Sequence, residues 1–180
     1  FVGSLLLVSA VAAVAADLPA DRFAQADLAR LAAVGESAFA PDGESIVYTV
    51  TVTNAAEDKQ QSDLWRVGYD GEARVLTNLP GGVNDFQWSP DSRRLAVIAS
   101  DPERPAGTPK PKNPPPIVTE RWQFKKDVDG YLDAHRSHLY VHDIARSESM
   151  QITSGDHDEA LPAWSPDGKQ IAYVTRRGGE

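Results

Sequence analysis

Four histidines fall between positions 135 and 157: His135, His138, His142 and His157. His138 and His142 have the four-residue spacing of a metal-binding pair, but that spacing brings two rings to one ion on a helix. Leu139-Tyr140-Val141 between them is β-prone, and a strand sets such residues on one face but far apart. They read as strand and loop histidines. The nearest approach to a G-x-S-x-G nucleophile elbow is Gly35-Glu36-Ser37-Ala38-Phe39. It ends in Phe and opens a strand, where the elbow needs a strand-to-helix turn. Asp42, Asp91 and Asp167 recur at turns and serve structure. The chain is therefore expected to carry no catalytic residue, no metal site and no cofactor. The side chains left with chemistry to offer are Arg121, Trp122, Lys125 and Tyr131. They set positive charge among aromatic groups in an otherwise acidic chain, which favours an anionic group.

What positions these residues is a repeat. Trp164-Ser165-Pro166-Asp167-Gly168-Lys169-Gln170-Ile171-Ala172-Tyr173 is matched by Trp88-Ser89-Pro90-Asp91-Ser92-Arg93-Arg94-Leu95-Ala96-Val97 and by Phe39-Ala40-Pro41-Asp42-Gly43-Glu44-Ser45-Ile46-Val47-Tyr48. Each copy is an aromatic, a tight turn and a strand. Pro presets φ at the second turn position, and Gly takes the left-handed position that returns the chain. Ser92 stands where Gly is expected, a strain of about 1 kcal/mol. Leu64-Trp65-Arg66 matches Leu139-Tyr140-Val141, and Val75-Leu76-Thr77 matches Gln151-Ile152-Thr153. Thr77 and Thr153 each lie 13 residues before the motif proline. The unit is thus four strands, expected over Ile46–Val52, Leu64–Val67 and Ala73–Thr77 after the first aromatic strand, with Asn54–Ser62 as a polar loop. Four strands per repeat is a propeller blade. Strands apolar on both sides, such as Ile46–Val52, fit blades stacked face to face.

The fold class expected is all-β: a partial β-propeller of about two and a half four-stranded blades, preceded by a signal peptide and a short helix. The first sixteen residues carry no charge. Leu5 to Ala16 is an apolar run ending in small residues, the pattern of a secretory signal cleaved after Ala15 or Ala16, and too short to span a bilayer comfortably. It lacks a basic start and an initiator Met, which reads as a beginning cut short; the end at Glu180 reads the same way. Residues 17–36 read as a short helical lead-in, with Leu28, Leu31 and Ala32 on one face and Gly35 ending it. Residues 37–180 form the propeller portion. The net charge of −8 argues against nucleic-acid binding. There is no Cys, so neither disulfides nor thiolate sites are available.

Pro41 to Pro90 spans 49 residues and Pro90 to Pro166 spans 76, so the second blade carries an insertion, placed at 101–133. Its first half is rich in proline and favours an extended path. Its second half, Ile117 to Asp133, is β-prone, with Asp129-Gly130 as a turn. A hairpin is expected over Trp122–Leu132, either standing off the blade or with its aromatic side chains folded back on the blade edge.

The Trp-Ser-Pro-Asp-Gly-Lys-x-Ile-Ala-Tyr repeat resembles the propellers of TolB-type proteins and of prolyl oligopeptidase family serine peptidases. Thr119 to Asp143, with Arg121, Phe124-Lys125, Asp129-Gly130-Tyr131-Leu132-Asp133, Arg136 and His138–Asp143, looks like the acylaminoacyl-peptidase and dipeptidyl-aminopeptidase branch. Asp27-Leu28-Ala29-Arg30-Leu31 is similar to that branch's start. The resemblance covers residues 23–180. It implies a secreted or periplasmic enzyme in which a propeller filters short peptides toward the chain's own C-terminal α/β-hydrolase domain, whose Ser-His-Asp residues lie outside these positions. Arg121, Trp122, Lys125 and Tyr131 are then expected along the substrate channel. No nucleic-acid partner or membrane span is implied, and an oligomer is left open. The alternative is a TolB-type periplasmic interaction module without catalysis.

An open run of blades exposes a blade face and lacks ring closure. Residues 17–180 expressed alone are expected to give a broad, weakly cooperative thermal transition. A sharp monomeric melt followed by circular dichroism is the opposite outcome.

Overall fold

The computed structural model describes residue 27 and residues 31–54, 59–102, 116, 125–126, 130–131 and 135–175. Its strands form successive antiparallel sheets, and no α-helix occurs among the described residues. The first sheet is a four-stranded meander, β1 (Ala32–Phe39), β2 (Ser45–Asn54), β3 (Lys59–Gly68) and β4 (Ala73–Val75), in spatial order. The second contains β5 (Val83–Trp88), β6 (Arg94–Ser100), β9 (Ser137–Asp143) and β10 (Glu148–Gln151), again as a meander. Between β6 and β9 the chain forms a separate hairpin, β7 (Lys125–Lys126) and β8 (Gly130–Tyr131). The third sheet consists of β11 (Glu159–Trp164) and β12 (Ile171–Thr175). These three sheets are blade one, blade two and the opening half of blade three, as the repeat predicts.

The repeated turns close alike. Ser89 N donates to Arg94 O at 2.8 Å and Ser92 N to Ser89 O at 3.0 Å; Ser165 N donates to Gln170 O at 2.8 Å and Gly168 N to Ser165 O at 2.9 Å. The serine hydroxyl bonds to the turn aspartate, Ser89 Oγ to Asp91 Oδ1 at 2.6 Å and Ser165 Oγ to Asp167 Oδ1 at 2.7 Å. It also accepts the amide that opens the next strand, from Arg94 and Gln170, both at 2.9 Å. Blade one has Ala40 in place of that serine and keeps only the backbone pair and the bond from Glu44 N to Asp42 Oδ1. Ser92 does sit left-handed, at φ 58°. Its hydroxyl accepts Asp42 N of blade one at 3.0 Å, so the residue that strains the turn also ties two turns together.

Each sheet has two apolar faces, and register assigns them. Directly paired residues share a face. Trp88 pairs with Leu95, and Phe86 with Val97. This face of blade two packs into one core with Ala40, Val47 and Leu64 of blade one. The other face of blade two, with Ala96, Ile98 and Leu139, packs against Trp164, Ile171 and Tyr173 of blade three. The motif tryptophan adds a directional contact at each junction. Trp88 Nε1 donates to Ala38 O, and Trp164 Nε1 to Gln87 O, both at 3.3 Å. Ala38 and Gln87 each precede the aromatic of the blade before. Arg94 strengthens the second junction, lying 4.8 Å from the Trp164 ring centroid and donating to Gly168 O at 3.1 Å.

Several boundaries differ from the sequence reading. Residues 32–36, expected to end a helical lead-in, belong to β1, because pairing with Val50, Thr51 and Val52 outweighs their helical periodicity. The rest of that lead-in and the signal peptide lie outside the described residues, apart from residue 27 and Leu31. The polar loop expected over Asn54–Ser62 is shorter, since the β2–β3 ladder runs out to Asn54↔Lys59. Backbone pairing does not require apolar side chains, and Thr51 and Ser62 share a hydroxyl hydrogen bond at 2.7 Å. The fourth strands stop before their threonines, at Val75 and Gln151. Each opening strand carries an irregularity that periodicity did not signal, between Val34 and Ser37, Val83 and Asp85, and Ala160 and Ala163.

Ser92 sets up a prediction on stability. Ser92→Gly relieves the left-handed strain and loses the bond to Asp42, two effects of about 1 kcal/mol each, so it is expected to be near neutral. Ser92→Ala keeps the strain and loses the bond, and is expected to be the less stable by about 1 kcal/mol in chemical denaturation of the full-length protein.

Candidate functional site

A hairpin forms within the expected span, Lys125 pairing with Tyr131 and Lys126 with Gly130, so Gly130 belongs to β8 rather than to the Asp129-Gly130 turn expected from the sequence. Two of the four anticipated site residues, Lys125 and Tyr131, are thus direct register partners. The other two, Arg121 and Trp122, lie outside the described residues, as does the proline-rich half apart from Asp101, Pro102 and Pro116.

The insertion leaves and returns at one point. Ser100↔Ser137 is the last rung of the β6–β9 ladder. Beyond it, Asp101 N donates to Arg136 O at 2.7 Å and Arg136 N to Asp101 Oδ2 at 3.2 Å. Asn84 Nδ2 bonds both rung serines, Ser100 Oγ at 2.8 Å and Ser137 Oγ at 3.1 Å. The returning stem is then fastened, residue by residue, to the segment that leads into blade three. Arg136 Nε donates to Asp156 O at 2.9 Å, and Ser137 N to Asp158 Oδ1 at 3.1 Å. His138 Nδ1 meets Glu159 Oε2 at 2.9 Å.

That last contact anchors the most polar buried cluster described. His138 is 3% exposed and Glu159 2%. Glu159 Oε2 also accepts Thr153 Oγ1 at 3.1 Å, and Oε1 accepts Thr175 Oγ1 at 3.3 Å. Both carboxylate oxygens are therefore satisfied, as a buried charge requires. Asp101 Oδ1 lies 3.6 Å from His138 Nε2, so the imidazole has a carboxylate at each nitrogen. Among the described residues no three His, Asp or Glu side chains are arranged to hold a metal ion. The cluster joins strands: His138 and Thr153 belong to blade two, while Glu159 and Thr175 belong to blade three.

Blade one has the corresponding contact in a simpler form. There Thr77 Oγ1 accepts Leu64 N at 2.9 Å and donates to Asp63 Oδ1 at 3.2 Å, within one blade. In blade two Thr153 Oγ1 likewise accepts Leu139 N at 2.9 Å, but its acceptor is Glu159 of the next blade. His138 occupies the position of Asp63, one residue before the repeated leucine. The threonine hydroxyl thus meets a carboxylate of its own blade in blade one and a carboxylate of the next blade in blade two. Pairwise alignment of the repeats contains this signal, as Asp63 against His138, but the partner Glu159 follows only from stacking.

His142, also on β9, is 1% exposed. Its Nδ1 meets Ser149 Oγ at 2.9 Å, while Nε2 is buried without a partner. Burial pushes its pKa below the ordinary histidine value, only partly opposed by the Asp143 charge. Burial, with the Asp101 charge adding to it, pushes the Tyr140 phenol up. Asp91 and Asp167 are held below the usual carboxylate range, first by the hydroxyls of Ser89 and Ser165. Ser37 lies within β1, paired with Tyr48, and so occupies no strand-to-helix elbow.

No family model matches the chain. Among curated proteins it is 27% identical over 139 residues to the uncharacterized peptidase YuxL of Bacillus subtilis, covering 75% of this chain and 20% of that protein. It is 25% identical over 130 residues to the Tol-Pal system protein TolB of Alcanivorax borkumensis (71% and 23%), and 21% identical over an alignment of 213 residues to dipeptidyl-peptidase 5 of Porphyromonas endodontalis (83% and 30%). The chain therefore spans less than a third of each of these relatives. Among solved structures, an acylaminoacyl peptidase bound to Z-Gly-Gly-Phe-chloromethyl ketone superposes with a TM-score of 0.54 at 15% identity, covering 78% of this chain and 20% of that one. The β-propeller domain of the Trilobed protease from Pyrococcus furiosus superposes at 0.51 and 16% identity, covering 81% and 34%. The chain is a segment of β-propeller.

Within the propeller, the insertion extends the connection between the second and third strands of blade two. Its stem and the His138–Glu159 cluster share the end of the blade opposite the Ser-Pro-Asp turns. The cluster thus fixes where the insertion starts relative to blade three.

Two predictions follow from the buried groups. Glu159→Ala strands His138 and two threonine hydroxyls, and is expected to cost about 3 kcal/mol or more, with Glu159→Gln milder because it keeps an acceptor; denaturant unfolding checks the order. His142 is disfavoured as a cation in the folded state, so the unfolded chain takes up its proton first, near its ordinary pKa of about 6.5. The stability that this confers is complete above that pH and is lost as pH falls toward the lower folded value. Val67 holds the matching place in blade one, and His142→Val is expected to flatten this part of the stability–pH curve.

Proposed function

We propose that this chain is the propeller portion of a secreted or periplasmic serine peptidase that cleaves short peptides by an acyl-enzyme route. In this reading the propeller admits peptides to a C-terminal hydrolase domain that holds the Ser-His-Asp residues. The observation that carries it is the inserted hairpin β7–β8 on a bolted stem, in a propeller whose sequence relatives include two proteins named as peptidases. A plain scaffold has no evident need of such a hairpin. Lys125 and Tyr131, with Arg121 and Trp122 next to them in sequence, are proposed to shape the route to the active site and to favour a peptide's carboxylate. The apolar run Leu5–Ala16 supports export.

The second reading is a TolB-type interaction module, favoured by the sequence match to TolB across 71% of the chain. Incubating the full-length protein with aminoacyl chromogenic substrates and a serine-reactive phosphonate separates the two. The peptidase reading expects turnover and stoichiometric labelling; neither would leave the TolB-type reading. Deleting Gln123–Tyr131 is expected to change the ranking of peptides by length and C-terminal charge. An unchanged ranking with altered stability would make the hairpin packing alone.

A further inference from the structure

The stem of the insertion is gripped from both sides by the segments that join one blade to the next. The returning strand is fastened to Asp156, Asp158 and Glu159, which lead into blade three. The outgoing strand rests on Leu79–Gly82, the matching segment between blades one and two. There Gly82 N donates to Leu79 O at 2.8 Å, closing a turn, and Gly82 O accepts Ser100 N at 3.2 Å. Gln61 Nε2 of blade one donates to Leu79 O at 2.7 Å and holds the turn from the other side. Gly81 lies directly under the first residues of the insertion. A Cβ at position 81 would overlap the Ser100 carbonyl and lie 2.7 Å from Asp101 O. The approach is backbone on backbone, so no change of rotamer relieves it. His157 holds the matching place before blade three, so the repeat itself admits a side chain there. The insertion is what excludes one at Gly81.

From this seat to the hairpin the path is short on one side. Asp101 holds Arg136 through the two bonds that close the stem. Tyr131 lies five residues before Arg136, whereas Lys125 lies 24 residues after Asp101. Five residues reach at most about 18 Å, so the returning limb is the short tether, and its register partner Lys125 moves with Tyr131. We propose that Gly81 and Glu159 are positioning residues for substrate choice. They seat the two limbs of the stem, and through it they aim Lys125 and Tyr131 at the carboxylate end of a peptide. Neither residue touches the peptide. Gly81 acts by leaving room for Ser100 and Asp101, and Glu159 by holding His138. The proposal rests on the peptidase reading above.

The test uses the full-length protein and peptides matched in sequence that end in a free carboxylate or in a carboxamide. Gly81→Ala forces the stem and the turn apart, and a misplacement of about 1 Å can cost about a hundredfold in rate. The ratio of kcat/KM for the carboxylate over the carboxamide is expected to fall about tenfold in Gly81→Ala, mainly through KM. Glu159→Gln is expected to lower it in the same direction, and carries the test alone if Gly81→Ala does not fold. Labelling by a serine-reactive phosphonate is expected to stay native in both. Gly43→Ala is the control for stability. Gly43 is left-handed, at φ 75°, has open space where a Cβ would stand, and sits in the turn at the other end of blade one. It is expected to destabilise without changing the ratio. A native ratio in the folded stem variants, with native labelling, would overturn the positioning role and leave the peptidase reading intact. The same fall in Gly43→Ala would also overturn it, by tracing the effect to stability. Neither turnover nor labelling in the unsubstituted protein would overturn both.

Discussion

Everything in this chain depends on sheets that are apolar on both faces. A strand such as Leu95–Ala99, buried along its whole length, cannot belong to a sheet with one side in water. Each sheet must be covered twice, and stacking like on like is how a repeat does so. Burying one large side chain contributes about 1.5–3 kcal/mol, while the indole-to-carbonyl bond contributes about 1 kcal/mol. Burial therefore holds the blades together, and the hydrogen bond sets their angle and register. Trp88 does both, through its ring in the core and its N–H on Ala38.

The Ser-Pro-Asp turn works at a second level. Its hydroxyl and carboxylate hold the turn closed and pin the first amide of the next strand, so the turn itself specifies strand register within the blade. Neighbouring turns then touch. Ser92 reaches back to blade one, and Arg94 reaches forward to Gly168 and the Trp164 ring. The departures Ser92 for Gly and Arg94, where the other copies have Ser45 and Gln170, sit where the turn of blade two serves as a junction on both sides.

Among the described residues, the insertion meets this plan at the β6–β9 stem. It leaves β6 and rejoins β9 without disturbing the ladder, because Asp101 and Arg136 close the gap with one backbone bond and one bond from Arg136 N to the Asp101 carboxylate. The cost of a buried carboxylate at the stem is offset by three donors on Glu159. Beside the apolar contacts and the hydrogen bonds of the turns and tryptophans, the blade two–blade three junction thus has a buried polar cluster at the stem of the insertion.

The sequence by itself determined the repeat, the turns, the antiparallel order within each blade and the position of the hairpin. Those features rest on local rules: Pro and Gly torsions, alternation, and a Thr-to-Pro interval that recurs. Local rules also misplaced what pairing decides. Residues 32–36 look helical in isolation and become strand because β2 offers them partners. Polar Lys59–Ser62 looks like loop and becomes strand for the same reason. The histidines were read as ordinary strand residues, and their spacing is indeed that of a strand. Only stacking brought Glu159 to His138 from the next sheet, 21 residues away, and left Phe39 in the open while Trp88 was buried. Which side chains meet across two sheets depends on twist and on the bulges in each opening strand, and neither has a signature in a single line of residues.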